Sequence, residues 1–263
     1  MKHFLNCFSI AFVLISLLLS CNKPTTPRPS DLELEGVKGK VKAIIQITDT
    51  SSFYNYFDEY GFLTVQKKTL NQLYYDISYQ YEKPGVLKQR NIIIPEFPNM
   101  NESESFNYIL DKDGVLEKII SRKVSSISNA DAVEEYEFYP SGTIKQTVLN
   151  YSGSYKKYTR HEYDKSGKLV KSVDIMKDYP DDSKNPTITN IYNYDNSDNL
   201  IKVTTDYKNY DVQFDGSYIT NYSVLRSDQY GNWLKRKATV SYLSQTGRKS
   251  SNEYIEERSI EYY

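Results

Sequence analysis

His161 is the first residue to test as a general base, because it is the only histidine left once the N-terminal segment is set aside. It occupies a strand position where other copies of a repeated unit carry tyrosine. It therefore reads as a substitute aromatic in a wall, not as half of a catalytic pair. A serine nucleophile needs a sharp strand-to-helix elbow and a base, and Ser152-Gly153-Ser154 lacks that context. Asp195, Ser197 and Asn199 begin like a calcium loop, but the sixth position is Leu200 and the twelfth is Asp206, where the loop needs glycine and glutamate. Asp178, Asp181 and Asp182 form a second acidic group around Tyr179-Pro180, in what reads as a solvated loop. Lys235-Arg236-Lys237 and Arg248-Lys249 make the C-terminal end basic, though strand alternation splits the first three between two faces. Trp233, the single tryptophan, is the candidate for stacking on a sugar ring or a protein surface. No metal and no cofactor are expected from these patterns.

Composition narrows the function classes. The chain has 263 residues and a net charge of −1, which speaks against nucleic acid as a partner. Tyrosine is the anomaly, with 26 copies. The 2 cysteines, Cys7 and Cys21, leave no disulfide framework and no cysteine-rich zinc site.

The N-terminus is an address. Met1-Lys2-His3 precedes an apolar run from Phe4 to Leu19, too short for a spanning helix and built like a secretory signal. It ends in Leu18-Leu19-Ser20-Cys21, which resembles a bacterial lipobox. The resemblance implies cleavage after residue 20, acylation of Cys21, and a membrane as partner through that lipid. Residues 21–34, with Pro24, Pro27 and Pro29, read as a tether, and residues 35–263 as the folded domain. No acidic run follows Cys21, which points to the periplasmic side of an outer membrane rather than the cell surface.

What must position any site is a unit repeated seven times. The copies are Tyr54–Leu63, Tyr79–Lys88, Phe106–Leu116, Tyr136–Lys145, His161–Leu169, Tyr192–Lys202 and Ser227–Lys235. Each is an aromatic strand, a polar turn, and an aliphatic, lysine-bearing strand. Asp58, Asp111, Asp164, Asp195 and Asp228 open turns, where a carboxylate accepts backbone N–H groups. Gly61, Gly85, Gly114, Gly142, Gly167 and Gly231 close them at positive φ, with Asp198 in that place once. The period-two flanks place Tyr192 with Tyr194, Tyr79 with Tyr81 and Tyr54 with Tyr56 on single faces. The expected fold is all-β: about seven antiparallel hairpins in one extended, twisted or curled sheet. Its outer lysines and glutamates are expected to blunt its edges. Most tyrosines are expected to be core. A specific site is expected in the loops 95–105, 122–133 and 176–190.

The strand-Tyr-Asp-x-x-Gly-x-Leu-x-Lys unit, seen best in Tyr163-Asp164 through Leu169, Tyr194-Asp195 through Leu200 and Asp228 through Arg236, resembles the YD repeats of the Rhs family and of YD-repeat lipoproteins of the Bacteroidetes type. The resemblance implies a scaffold without catalytic residues. Seven copies fall short of the large shells that the family builds, and no toxin region follows them. The function expected is a non-enzymatic, lipid-anchored envelope protein that binds a protein or glycan. The alternatives are a glycan-binding accessory lipoprotein of nutrient uptake, with Trp233 in an exposed aromatic row, or a hydrolase with carboxylates at glycosidase separation.

Overall fold

The computed structural model describes residues 29–48, 51–70, 72–113, 115–125, 132–139, 141–151, 155–177, 184–210, 215–244, 247 and 249–263. The signal segment and Cys21 lie outside them, as do Gly114 and the acidic group at 178–182.

Sixteen strands follow one another: β1 Val41–Ile47, β2 Ser51–Phe57, β3 Leu63–Leu70, β4 Leu73–Lys83, β5 Val86–Ile93, β6 Glu102–Leu110, β7 Leu116–Ser125, β8 Ala132–Phe138, β9 Ile144–Tyr151, β10 Tyr155–Tyr163, β11 Leu169–Lys177, β12 Thr187–Tyr194, β13 Leu200–Lys208, β14 Gly216–Ser227, β15 Trp233–Ser244 and β16 Lys249–Tyr262. Each pairs antiparallel with its predecessor, and β16 pairs with β1, so the sheet is a closed barrel. This corrects the extended or curled sheet expected from sequence. The seven sequence repeats are the seven hairpins β2–β3 through β14–β15. The free strands left over, β1 and β16, become each other's partner. Closure removes the edges that the outward charges were expected to blunt.

All seven repeat turns lie at one rim, with the start of β1 and the end of β16. The other eight connections lie at the opposite rim. The turn mechanism is local and repeated. The Asp58 Oδ1 accepts from the N–H groups of Tyr60 and Phe62 at 3.0 and 2.9 Å. Asp111, Asp164, Asp195 and Asp228 do the same two and four residues ahead. The closing residue takes positive φ, from 71° at Asp198 to 85° at Gly61. A register shift follows at the end of each such strand, for example between Glu162 and Tyr163.

Ahead of β1, a short helical turn α1, Asp31–Leu34, sits in the mouth of the barrel at the turn rim. It belongs to the stretch read as tether, yet it is capped and packed. Ser30 and Glu33 form a capping box. The Leu32 N–H donates to the Gly61 carbonyl at 3.2 Å, and the Asp31 carboxylate accepts from the Leu63 N–H at 2.7 Å. Leu32 packs with Val37, Val41, Ile44 and Phe57 in the main hydrophobic cluster. The plug supplies apolar packing that the wall alone lacks.

Candidate functional site

Strand alternation gives the barrel two chemically different faces. Cross-strand pairs carry the inner face around the wall: Tyr79 opposite Arg90, Arg90 opposite Glu104, Ile119 opposite Tyr136, Tyr136 opposite Thr147, Thr159 opposite Asp174, Tyr218 opposite Tyr242, and Arg258 opposite Gln46. Tyr192 and Tyr194 face inward together, as do Tyr79 and Tyr81. Tyr54 and Tyr56 share a face too, but it is the outer one, because they stand four and two residues before the turn aspartate instead of three and one.

The outer face is polar, with charged groups along several strands and apolar groups such as Tyr56, Ile191 and Ile255 scattered among them. Lys156, Arg160 and Glu162 all point outward along β10 and are exposed. Ion pairs join neighbouring strands: Lys118 to Glu135 at 2.7 Å, Lys171 to Glu162 at 2.7 Å, and Lys237 to Glu253 at 3.2 Å. Lys235 and Glu257 make a fourth pair. The basic cluster Lys235-Arg236-Lys237 splits as alternation dictates, with Arg236 inside and both lysines outside.

Inside, between the plug and the wall of β3 to β9, lies a cavity of about 270 Å³. Tyr79, Tyr81, Phe106, Tyr108, Tyr136 and Phe138 supply its aromatic wall, Leu63, Leu87, Ile119 and Ile144 its aliphatic parts, and Pro29, Asp31 and Leu34 its lid side. The tyrosine hydroxyls are already engaged. Tyr81 donates to the Leu63 carbonyl at 2.8 Å, Tyr136 to Glu134 at 2.7 Å, and Tyr108 accepts from the Leu87 N–H at 2.6 Å. The rings, not the hydroxyls, are thus left to meet a ligand. Burial pushes the Tyr79 and Tyr136 hydroxyls up, so both stay neutral.

The floor of this cavity is polar. The Arg90 guanidinium contacts Glu104, whose side chain is 4% exposed. The Ser121 hydroxyl donates to the other Glu104 oxygen at 2.6 Å. Two residues along the same strands toward the far rim, Lys123 pairs with Glu102 at 2.6 Å. The Arg90 Nε is buried and meets no hydrogen-bond partner among the described residues. The cavity is an apolar, aromatic cup with one ion pair at its base.

Trp233 does not belong to an exposed row. It is 8% exposed and faces inward at the turn rim. The guanidinium carbons of Arg236 and Arg258 lie 4.1 and 3.9 Å from its ring, and Arg258 Nε donates to its carbonyl at 2.6 Å. Arg236 also covers Tyr222 at 4.0 Å and pairs with Glu256 at 2.5 Å. Burial, then the Arg236 charge, pushes Arg258 down to about 10, while burial pushes Glu35 up beside it. This stack is internal packing.

His161 also faces the lumen, 6.4 Å from the Tyr163 ring. Burial holds it below the usual histidine range, against the pull of Asp174. Asp174 is itself paired with Lys157 at 2.9 Å. No serine hydroxyl bonds to the imidazole among the described residues. No group of three or more metal-binding side chains occurs among them. Asp195 spends its carboxylate on its own turn, not on a loop that coordinates calcium.

The cavity aromatics were present in the sequence as repeat positions, but nothing there assigned them to one cup. Arg90 and Glu104 were missed. Their one signal is a charge at inward parity, visible only once the face of each strand is known. The cavity also opens at the turn rim, whereas the loops expected to carry a site connect strands at the other rim.

No protein-family model matches this sequence, and no curated protein matches it. Solved structures do. A porin-like protein from Bacteroides uniformis aligns over 90% of this chain and 99% of its own, with a TM-score of 0.52 and 11% identity. A porin-like protein from Bacteroides vulgatus covers 86% of this chain and 99% of its own, with a TM-score of 0.45 and 13% identity. A TcdB2-TccC3-TEV structure covers 77% of this chain and 16% of its own, with a TM-score of 0.21 and 11% identity. The first likeness shows a shared barrel fold.

Proposed function

We infer that this protein is a non-enzymatic binding protein of the bacterial envelope, anchored by lipid on Cys21, whose barrel stands in water and takes a small amphiphile into its lumenal cup. The observation that carries this reading is the reversal of faces. A barrel that spans a bilayer needs an outward apolar band about 25 Å tall, and a lysine or arginine at its midplane costs about 2–4 kcal/mol. Here the outward face holds Lys156, Arg160 and Glu162 on one strand and interstrand ion pairs around the wall. Most of the strand aromatics are inside, with Tyr54 and Tyr56 among the few outside. A chain whose barrel does not enter lipid needs another means of staying at the membrane, which an acylated Cys21 supplies.

The ligand class follows from the cup. Its ring faces suit an apolar or aromatic body, and the Arg90–Glu104 base suits a single polar end. A glycan would need many free hydrogen-bonding groups, and the tyrosine hydroxyls are bound to the wall. The amphiphile is therefore favoured over the glycan. The turn chemistry supports kinship with YD-repeat lipoproteins at the level of the hairpin.

The test is binding of a fluorescent apolar probe, N-phenylnaphthylamine, to the purified protein, with displacement by short-chain fatty acids and by oligosaccharides. Saturable binding displaced by fatty acids, and weakened at least tenfold by Leu34→Glu at the lid, is expected. Displacement by oligosaccharides alone, or binding that Leu34→Glu leaves unchanged, contradicts the reading.

A further inference from the structure

We propose that the hairpin-turn rim of the barrel is a docking surface for phospholipid, and that the opposite rim points away from the membrane. The proposal rests on the reading of Cys21 as the lipid anchor.

Two independent features meet at this rim. The first is a crown of exposed apolar side chains: Tyr60 at 44%, Leu110 at 54%, Val115 at 48%, Leu225 at 55%, Tyr230 at 43% and Tyr263 at 61% exposure. They come from the turns β2–β3, β6–β7 and β14–β15 and from the end of β16, so they surround much of the mouth. Ile93, Phe97, Val124 and Leu243 give the opposite rim a comparable set, so the crown supplies a contact and the tether selects the rim. Tyrosine and aliphatic groups beside polar turn backbone are the composition that favours the bilayer interface, where an amphipathic ring sits at headgroup level. The turns that carry fewer apolar groups present Lys145 and Lys165 instead, both exposed. An ammonium on a flexible stem suits a phosphate headgroup.

The second feature is where the chain leaves the barrel. The described residues begin at Pro29, against the cavity inside the mouth of this same rim. Between it and Cys21 the chain spans at most about 27 Å when fully extended, at ~3.4 Å per residue. The wall is about 23 Å tall, since strands of roughly nine residues rise about 30 Å along their length and tilt by about 40° in a closed barrel. A tether leaving the turn rim is thus largely consumed in reaching the other rim, whereas the turn rim lies within reach of the lipid without stretching. The lipid holds the chain at the surface, and a second contact fixes how the barrel lies on it. The crown supplies that second contact. It also sets the mouth of the cup against the lipid surface, where an amphiphile would enter.

Brominated phospholipid quenches nearby tryptophan fluorescence and so reads the orientation directly. The full-length protein, purified from membranes with its processed N-terminus, is placed in vesicles of brominated phosphatidylcholine and phosphatidylglycerol. Variants Tyr60→Trp, Val115→Trp and Phe97→Trp are compared, Phe97 lying in the 94–101 connection at the far rim and 46% exposed. The proposal expects the added fluorescence at 60 and 115 to fall at least twofold and that at 97 to stay unchanged. Quenching at 97, or none at 60 and 115, overturns it. The mass of the same sample separates the two readings. Acylated Cys21 with no quenching at the turn rim refutes the docking surface and leaves the anchor standing. Unmodified Cys21 removes the tether, and the proposal falls with it.

Discussion

Asn232 holds both backbone groups of Lys38 across 194 positions of sequence: its Oδ1 accepts from the Lys38 N–H at 2.9 Å and its Nδ2 donates to the Lys38 carbonyl at 2.8 Å. The same Nδ2 lies 2.9 Å from the Tyr262 hydroxyl, which in turn donates to Asp228. One amide thus ties the last repeat turn, the entry to β1 and the end of β16. Asp228 shows the strain of this position. Burial would raise its carboxyl, but the donors Tyr262 and Asn232 prevail and hold it below the usual range.

Replacing Asn232 with alanine should open this seam. Asn232 is 4% exposed, so the Lys38 groups would be left without partners in a dry place. A loss of about 2–3 kcal/mol is expected, which lowers the melting temperature by roughly 5–10 °C in a domain of this size. Thermal unfolding by circular dichroism measures it. Asn232→Asp should cost at least as much as alanine, because its second oxygen replaces the donor to the Lys38 carbonyl and stands beside the Asp228 carboxylate.

The hairpins were legible because their chemistry is local. Asp164, Ser166, Gly167 and Lys168 contain the whole turn, and no distant residue is needed to read it. Closure was not legible. β1 and β16 join Ile44 to Ile260 and Gln46 to Arg258, and nothing near either strand encodes the meeting. The inward face was half legible. Alternation groups Tyr79 with Tyr81 and Tyr54 with Tyr56, but only the closed wall tells that the first pair points in and the second out. For the same reason nothing in the sequence set Arg90 and Glu104 apart, and Trp233 looked like an exposed platform.

Acid should weaken the turns through their aspartates. Hydrogen bonds from Ser166, then from the Lys168 N–H, hold Asp164 below the usual carboxylate range. A depressed folded pKa means that the stabilisation is full above the unfolded value near 4 and is lost as pH falls through the folded value. Both backbone amides use Oδ1, so Asp164→Asn keeps an acceptor. The variant should be less stable than the parent at pH 7, lose less than the parent between pH 5 and 3, and converge with it below the folded value. Denaturant unfolding across that range checks it.

His161 predicts a different window. Burial lowers its pKa, so the protonated ring disfavours the folded state. The penalty is absent above the unfolded value near 6.5 and grows as pH falls below it. His161→Tyr, which restores the residue type of the other repeats, should flatten the stability profile between pH 7 and 5. A profile unchanged by the substitution would show that the imidazole is as free to charge in the barrel as in the unfolded chain.

The cavity floor should behave as a coupled pair. Breaking a buried ion pair leaves the surviving charge uncompensated, at about 3–5 kcal/mol. Arg90 is partly exposed, its side chain at 31%, so a smaller loss, on the order of 2 kcal/mol, is expected for Glu104→Leu, whereas Arg90→Leu strands the buried Glu104 and should cost the larger figure. The double variant should be more stable than either single one. A double-mutant cycle in denaturant reads the coupling directly.

The reversal of faces is tested most directly by removing the lipid. The Cys21→Ala chain, released from the membrane, should remain in the aqueous phase of a detergent partition. It should sediment as one species in detergent-free buffer and unfold cooperatively with a β-type spectrum. Partition into detergent, folding that requires micelles, or stepwise conductance in a planar bilayer would contradict a barrel that stands in water.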